Sequence, residues 1–401
     1  MCSRPPLILH ISSDYIDGLG RHAAHRNWRP TRAVNNLIVA AEGFDHVVFS
    51  LRRQPSPFRL FLTDMGTAER KNVRVFAYGH LGLPFGIGLF CSFWMVARTI
   101  RRVLHEQQLR PDAVHAHRLT FDGIAGWLLA RSLDIPLFIS IRGEVERKVF
   151  RFKPTYRPLM RRIVRRATGI FYVSAWYARA LETYTGVEAA RTHLLPNLVA
   201  ETSVRANPSH SPTYFLTVLN LNIWRKKGLD RLLPAFAKAL AHSPSLRLGV
   251  IGGGDCGPTA DIRDLIRQLG IEHAVHLEGG LPNASVRERM RGAIALVLPS
   301  HHETFGMVYV EALFAGTPIL YSRGTGIDGF LNGLDVGVAV DPCRTSDISR
   351  ALLELSEHNV HYRETIFASG AELVRRFGRE NVLREYERVI RAGVAHVQGA
   401  M

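Results

Sequence analysis

The sequence predicts an α/β protein with two doubly wound parallel sheets, each in its own domain. Three observations lead there. Short runs rich in Val, Ile and Phe alternate with helical stretches along nearly the whole chain. A polar stretch punctuated by proline divides that alternation into two series. A chain of 401 residues, 46% of them hydrophobic, is long enough to fill two cores.

The first series runs PLILHIS (residues 6–12), HVVFSL (46–51), DAVHAH (112–117), PLFISI (136–141) and GIFYVS (169–174). Short, nearly continuous apolar runs of this kind are expected of parallel strands buried on both faces. Between the third and fourth lies the helical stretch DGIAGWLLARSL. Residues 81–97, LGLPFGIGLFCSFWMVA, carry no charge and are followed by Arg98, Arg101 and Arg102. The run is slightly short for a membrane span and is broken by Pro84, Gly86 and Gly88, so a buried or membrane-docking helix is expected. Within 142–166 basic residues interleave with aromatic and aliphatic ones. Over 157–166, Leu159, Ile163 and Val164 recur at helical spacing among paired arginines. Two readings stand for that helix: a core helix with a solvated outer face, or one lying on anionic lipid headgroups.

The dividing stretch, residues 195–213, is polar and contains Pro196, Pro208 and Pro212. It is read as a linker, with the domains joined near residue 205. The second series then runs TYFLTVLNL (213–221), the helix LDRLLPAFAKALAH (229–242), LRLGVIGGG (246–254), VHLEG (275–279), AIALVLPS (293–300) and a helix around Glu311. In sheets of this kind ligands bind at the carboxyl ends of the strands, and a cleft between the domains is expected.

Charge narrows the partners. With 51 basic and 35 acidic residues, net +16, the surface suits an anionic partner: nucleic acid, an anionic membrane or a phosphorylated substrate. No nucleic-acid reader motif accompanies the charge. Mean hydropathy is near zero. The first residues lack the long apolar core and cleavage site of a secretory signal. Cys2, Cys91, Cys256 and Cys343 are scattered without metal-ligand spacing, and a reducing cytoplasm is the simplest setting.

The most informative stretch is PSHHETFGMVYVEALFAGTP, residues 299–318. A strand ends in the loop HHETFG and a helix follows. One reading makes Glu303 a helix cap and sets Glu311 on a solvated face; the other points both carboxylates at a ligand. The backbone N–H groups of residues 305–308 would carry the positive end of the helix dipole, where a phosphate is favoured. Gly306 would let a ligand approach the backbone, and the two oxygens of Glu311 suit a vicinal diol. His301 and His302 lack a further ligand at metal spacing, and IGGGDCG lacks the dinucleotide-binding spacing. His117, on residue pattern alone, reads as a core histidine at a strand end.

In this setting PSHHETFGMVYVEALFAGTPIL resembles the E-x7-E region of family 4 retaining glycosyltransferases, whose fold is GT-B. VHAHRLTFDGIAGWLLARSLDIPLFISIRGE, RATGIFYVSAWYARAL, LPNLV, KKGLDRLLPAFAKAL and IGGGD are similar, in the same order, to other family segments, over roughly residues 110–390. The resemblance implies an N-terminal acceptor-side domain (1–204), a C-terminal sugar-nucleotide domain (205–376) and a terminal helix (377–401) that crosses back to the first. It implies that Glu311 binds ribose hydroxyls and Glu303 the transferred sugar. Thr304, Phe305, Gly306, Met307 and Val308 would hold sugar hydroxyls or diphosphate, and Lys227, with Arg225 or Lys226, would neutralise the diphosphate. His117 would stand against the donor sugar. Gly18 and Gly20 would form the loop near diphosphate and acceptor, beside Arg142.

The sequence departs from the family at Asn220, where an arginine is often found nearby, and at Arg142 and Glu144, in place of a His-Gly pair. The implied function is retaining transfer of a sugar from a nucleotide diphosphate sugar, UDP-linked by family habit, to an acceptor hydroxyl. No Asp-x-Asp occurs, so no metal and no other cofactor is expected. A lipid-linked or saccharide acceptor at an anionic cytoplasmic membrane face fits the charge. The alternatives are a soluble acceptor, a sugar-nucleotide epimerase, or a nucleic-acid-binding α/β protein.

Overall fold

The computed structural model describes residues 4–17, 29–67, 72–82, 88–205 and 212–399. The chain divides into two compact units: Met1–Val173, Tyr177–Leu198 and Val382–Met401 form unit 1, and Ser174–Trp176 with Val199–Asn381 form unit 2.

Unit 1 contains, in chain order, β1 (Leu7–Ser12), β2 (Ile16–Asp17), β3 (Arg29–Pro30), α1 (Arg32–Ala40), β4 (Asp45–Gln54), β5 (Phe61–Thr67), β6 (Val73–Leu81) and α2 (Leu89–Glu106). There follow β7 (Ala113–Ala116), α3 (Asp122–Leu133), β8 (Leu137–Ile141), α4 (Glu144–Phe152), α5 (Arg157–Arg166), β9 (Gly169–Tyr172), α6 (Ala178–Thr185) and β10 (Thr192–Leu194). Its main sheet has the order β10-β9-β8-β7-β1-β4-β6-β5 and is parallel except for the edge strand β5. Every residue of β1, β7, β8 and β9 is buried. That explains their apolar sequences, since a parallel strand here has no solvent face.

The helix α2 turns Phe93, Val96, Ala97, Ile100, Val103 and Leu104 inward at helical spacing. Its outer face keeps Phe90, Trp94 and Met95 exposed at 44–48%. In α5 the apolar residues Met160, Ile163 and Val164 are buried, leaving Arg161, Arg162, Arg165 and Arg166 exposed. Of the two readings of that helix, its apolar stripe therefore serves the core. What the helix exposes is mainly arginine. α3 packs against both α2 and α5, so the three helices form one layer on the sheet. None of the helices among the described residues is long and apolar enough to cross a membrane.

Unit 2 contains β11 (Tyr214–Val218), α7 (Leu229–His242), β12 (Arg247–Ile251), α8 (Cys256–Gln268), β13 (Val275–Gly279), α9 (Asn283–Arg291), β14 (Leu296–Val297) and α10 (Met307–Phe314). It ends with β15 (Ile319–Ser322), β16 (Gly337–Val340), α11 (Thr345–Glu357), α12 (Asn359–Ala368) and α13 (Gly370–Phe377). The sheet order is β13-β12-β11-β14-β15-β16, and every pairing is parallel. The last helix, α14 (Arg379–Gly399), belongs to unit 1 from Val382 onward. Its Tyr386 is fully buried there, with ring centroids 5.4 Å from Phe171 and 6.4 Å from Phe44. Both sheets are thus Rossmann-like, and each unit presents its strand-end loops at one edge.

Candidate functional site

In unit 2 the loop after β14 carries Glu303. It forms an ion pair with Lys227, on the loop before α7, and both side chains are largely buried. The two loops are laced together by backbone. His301 N–H donates to the Lys226 carbonyl at 3.1 Å, and the Ser300 hydroxyl donates to the same oxygen at 3.3 Å. Gly228 has φ +78°, and a Cβ there would collide with the Pro299 carbonyl, so no other residue fits this crossing.

Glu303 is also fixed from a third loop, after β15. Its N–H donates to Thr325 Oγ1 at 2.8 Å, and its carbonyl accepts from Thr325 Oγ1 at 2.8 Å and Gly326 N–H at 2.9 Å. Thr304 offers its carbonyl to the Ser174 hydroxyl at 2.7 Å, and Phe305 is buried edge-on against Phe330 at 5.3 Å. Nothing in the sequence reading singled out Thr325 or Gly326; the glycine-rich run RGTGIDG after a strand was the available signal.

The N-cap of α10 is Gly306 at φ 80°, with no side-chain cap. Glu303 is therefore committed to Lys227 and does not cap the helix. The amides of Met307 and Val308 open the first turn, where helical geometry provides no acceptor. A Cβ at Gly306 would meet the Tyr309 ring at 2.5 Å. Tyr309 in turn donates to the Leu298 carbonyl at 2.6 Å, which pins α10 to the end of β14. Glu311 lies one turn inside the helix and is half-buried. Arg225 turns elsewhere: it stacks on Trp224 at 4.1 Å and pairs with Asp261 at 3.3 Å, and like Lys226 it is exposed. Asn220 accepts from the Asn222 N–H at 2.9 Å, closing the short turn that leads to this loop.

Unit 1 gathers a second polar cluster at the carboxyl ends of β1, β7 and β8. His117 follows β7 directly and is 2% exposed. Arg142 follows β8, and its Nε donates to the His117 carbonyl at 3.1 Å. Asp122, opening α3, accepts from the Ser13 hydroxyl, and Asp14 pairs with Arg118. Glu146 accepts from the Leu119 N–H at 3.1 Å. Burial lowers the Arg142 guanidinium to about 10, Arg118 adding to the effect, and raises Asp122 to about 6. The sequence reading named His117 and Arg142; Asp122, Ser13 and Arg118, which it did not name, stand in the same cluster. Gly18 and Gly20, assigned to a diphosphate loop, lie outside the described residues.

Two family models match in tandem: "Glycosyl transferase 4-like domain" over residues 30–198 and "Glycosyl transferases group 1" over 201–370. The chain belongs to the family 4 glycosyltransferases of the GT-B fold. Its activity is glycosyl transfer from a sugar nucleotide. This glycosyltransferase is 29% identical over 327 residues to a D-inositol 3-phosphate glycosyltransferase of Thermobifida fusca, covering 75% of this chain and 73% of that one. It is 28% identical over 293 residues to a phosphatidyl-myo-inositol mannosyltransferase of Mycobacterium leprae, covering 70% and 75%. Among solved structures, Anabaena Alr3699/HepE in complex with UDP superposes with a TM-score of 0.69 at 16% identity, over 96% of this chain and 99% of that one.

Among the described residues, His10, His115 and His117 of the glycosyltransferase are close enough to share a metal ion, their ligand atoms lying within 4.8 Å of one another. The group holds no carboxylate, and Arg142 adds positive potential at His115 and His117.

The buried acid in unit 1 makes stability depend on pH. Asp122 ordinarily titrates near 3.8 and is raised to about 6 in the folded chain. Between those values the folded chain holds a proton that the unfolded chain has released. The contribution is therefore full below about pH 4 and lost as pH rises through 6. Asp122→Asn removes this slope. Urea unfolding should show the native protein losing about 2–3 kcal/mol relative to the variant between pH 4 and 7. Taking the difference cancels the opposing slope of the buried histidines. A difference independent of pH would contradict the assignment.

Proposed function

We propose that this glycosyltransferase moves a sugar, with retention at the anomeric carbon and without a metal ion, from a UDP-linked donor to a hydroxyl of a lipid-linked or polysaccharide-precursor acceptor. It would act at the cytoplasmic face of a membrane. The observation that carries the donor half is the buried Lys227–Glu303 pair beside the uncapped N-terminus of α10. In this reading the leaving diphosphate lies against Lys227 and the amides of residues 305–308. Fixed donors aimed at a charge that grows in the transition state stabilise it without reorganisation. Glu311 would bridge the ribose hydroxyls, and Glu303 and His117 would position the transferred sugar. Thr304 would contribute through its backbone. Arg225 and Lys226 would supply long-range positive potential, since Arg225 is engaged with Asp261. Gly18, Gly20 and Arg142 remain the proposed acceptor-side loop. In this reading cationic side chains would neutralise the phosphate in place of a metal, in keeping with the lack of Asp-x-Asp. The bound UDP of the Anabaena neighbour supports the choice of base.

Two features support a lipid acceptor. One relative is named as acting on phosphatidyl-myo-inositol. The layer formed by α2, α3 and α5 also exposes Phe90, Trp94 and Met95 together with Arg98, Arg101, Arg102, Arg161, Arg162, Arg165 and Arg166. A cavity of about 360 Å³ lies in this layer, lined by Trp127, Arg131, Arg162 and Arg166 among others. Arg162 stands 5.7 Å over the Trp127 ring. Aromatic side chains at headgroup depth beside guanidinium groups match an anionic bilayer surface.

The donor reading predicts that Glu311→Ala weakens binding of the preferred sugar nucleotide by about 1.5–3 kcal/mol, the range for hydrogen bonds to a charged group. A panel of UDP-, GDP- and ADP-sugars in a thermal-shift assay would select the ligand, and calorimetry would read the loss. Glu303→Gln and His117→Ala should instead lower kcat at saturating donor with little change in affinity. Unchanged affinity in folded Glu311→Ala would remove that carboxylate from the site.

The membrane reading predicts sedimentation with phosphatidylserine vesicles at low salt, reversed by high salt. Each basic residue near such a surface contributes about 1 kcal/mol. Replacing Arg161, Arg162, Arg165 and Arg166 with Gln should release most of the protein, and Trp94→Ser should weaken binding without removing its salt dependence. Failure of the native protein to sediment at low salt would refute membrane docking and leave the transferase reading intact.

A further inference from the structure

Four histidines lie together in the interior of unit 1: His10 on β1, His46 on β4, His115 on β7 and His117 just beyond it, none more than 2% exposed. Three of them form a hydrogen-bonded chain. His117 Nε2 lies 3.1 Å from His10 Nδ1, His10 Nε2 lies 3.0 Å from His46 Nδ1, and His46 Nε2 lies 3.0 Å from the Ala41 carbonyl. The far end decides the direction, because a carbonyl oxygen only accepts. His46 must carry its proton on Nε2, which makes its Nδ1 an acceptor. His10 then donates from Nε2 and accepts at Nδ1, and His117 donates from Nε2.

We infer that His10 and His46 are positioning residues that lock His117 in the Nε2–H tautomer, leaving its Nδ1 as a hydrogen-bond acceptor. Their role in transfer rests on the reading of His117 as a contact to the donor sugar. A neutral acceptor at Nδ1 takes a hydrogen bond from a sugar hydroxyl, whereas the other tautomer would present a donor. The chain is a lock and not a proton wire. Its last proton faces an amide carbonyl, which has no basicity to receive it, so no proton leaves at that end.

His115 is outside the chain. Its nitrogens meet the Ser140 hydroxyl at 2.8 Å and the Tyr386 hydroxyl at 3.1 Å, each able to donate or accept, so it imposes no direction. Burial holds all four rings neutral, with His46 lowered to about 4 and His115 to about 3. The charged groups acting on the cluster are Arg142, near His115 and His117, and Asp45, near His46. A metal at His10, His115 and His117 would take one ring nitrogen of His10, and since both of its nitrogens are engaged in the chain, one of the chain's bonds would break.

Long-range proton–nitrogen correlation spectra of protein labelled with ¹⁵N-histidine test the lock without any ligand. The signals would be assigned by His10→Asn and His117→Asn. At neutral pH the native protein should show His10, His46 and His117 protonated on Nε2 alone. His46→Phe removes the acceptor for His10, so His10 and His117 should both switch to Nδ1–H. His46→Gln, which keeps one donor and one acceptor, should restore the native pattern. A native His117 protonated on Nδ1, a His117 tautomer indifferent to His46→Phe, or one equivalent of zinc that is lost in His10→Asn would each overturn the inference. The native spectrum decides even where His46→Phe does not fold. Full turnover in His117→Ala would refute the sugar contact and leave the tautomer assignment standing.

Discussion

The candidate donor site depends on the seam between two loops of unit 2, residues 225–228 and 299–303. Neither loop holds its functional side chain in place alone. Lys227 sits at the end of a short turn, and Glu303 sits in a stretch with no secondary structure. What fixes them is close backbone contact at Gly228 and Pro299, two hydrogen bonds to the Lys226 carbonyl, and Thr325 closing on Glu303 from the far side. A buried pair of opposite charges contributes little net stability, because desolvation offsets its attraction. Its value here is geometric: it keeps an ammonium and a carboxylate fixed beside the first turn of α10. The parallel sheet makes the arrangement possible, since all of its strand-end loops emerge at one edge.

Unit 1 meets the opposite problem. Its strands are buried on both faces, yet they carry imidazoles and two carboxyls in the interior. Polar groups buried there cost free energy unless each donor finds an acceptor. The histidines satisfy this by bonding to one another and to Ala41, and His115 by bonding to Ser140 and to Tyr386 of α14. The terminal helix therefore contributes a polar partner as well as apolar area. Asp122 and Glu146 are less fully provided for: each has one buried oxygen without a hydrogen-bond partner among the described residues. Both carboxyls are accordingly raised by burial.

Much of this was legible in the sequence, for identifiable reasons. Apolar runs such as LILHIS and FISI announce buried parallel strands because burial on both faces leaves no polar alternation. The polar loop HHETFG, ending in a glycine before the apolar run MVYVEALFAG, pointed to a helix start at Met307. The direction faced by α5 was not legible, since an arginine-rich amphipathic helix looks alike on a core and on a membrane; only the burial of Ile163 and Val164 separates them. Nor was the part played by Thr325, which is 22 residues from Glu303 and joins it only through the order of strands β14 and β15. The histidine chain was hidden for the same reason: His10 and His117 are 107 residues apart and meet because β1 and β7 are neighbours in the sheet.

Amide hydrogen exchange with and without a sugar nucleotide tests the central claim most directly, since it reads the seam and the helix terminus in one measurement. With the preferred nucleotide from a UDP-, GDP- and ADP-sugar panel at saturation, exchange should slow in peptides covering residues 225–229 and 303–311 together. Slowing confined to other segments, with both of these unchanged under saturation, would contradict the account.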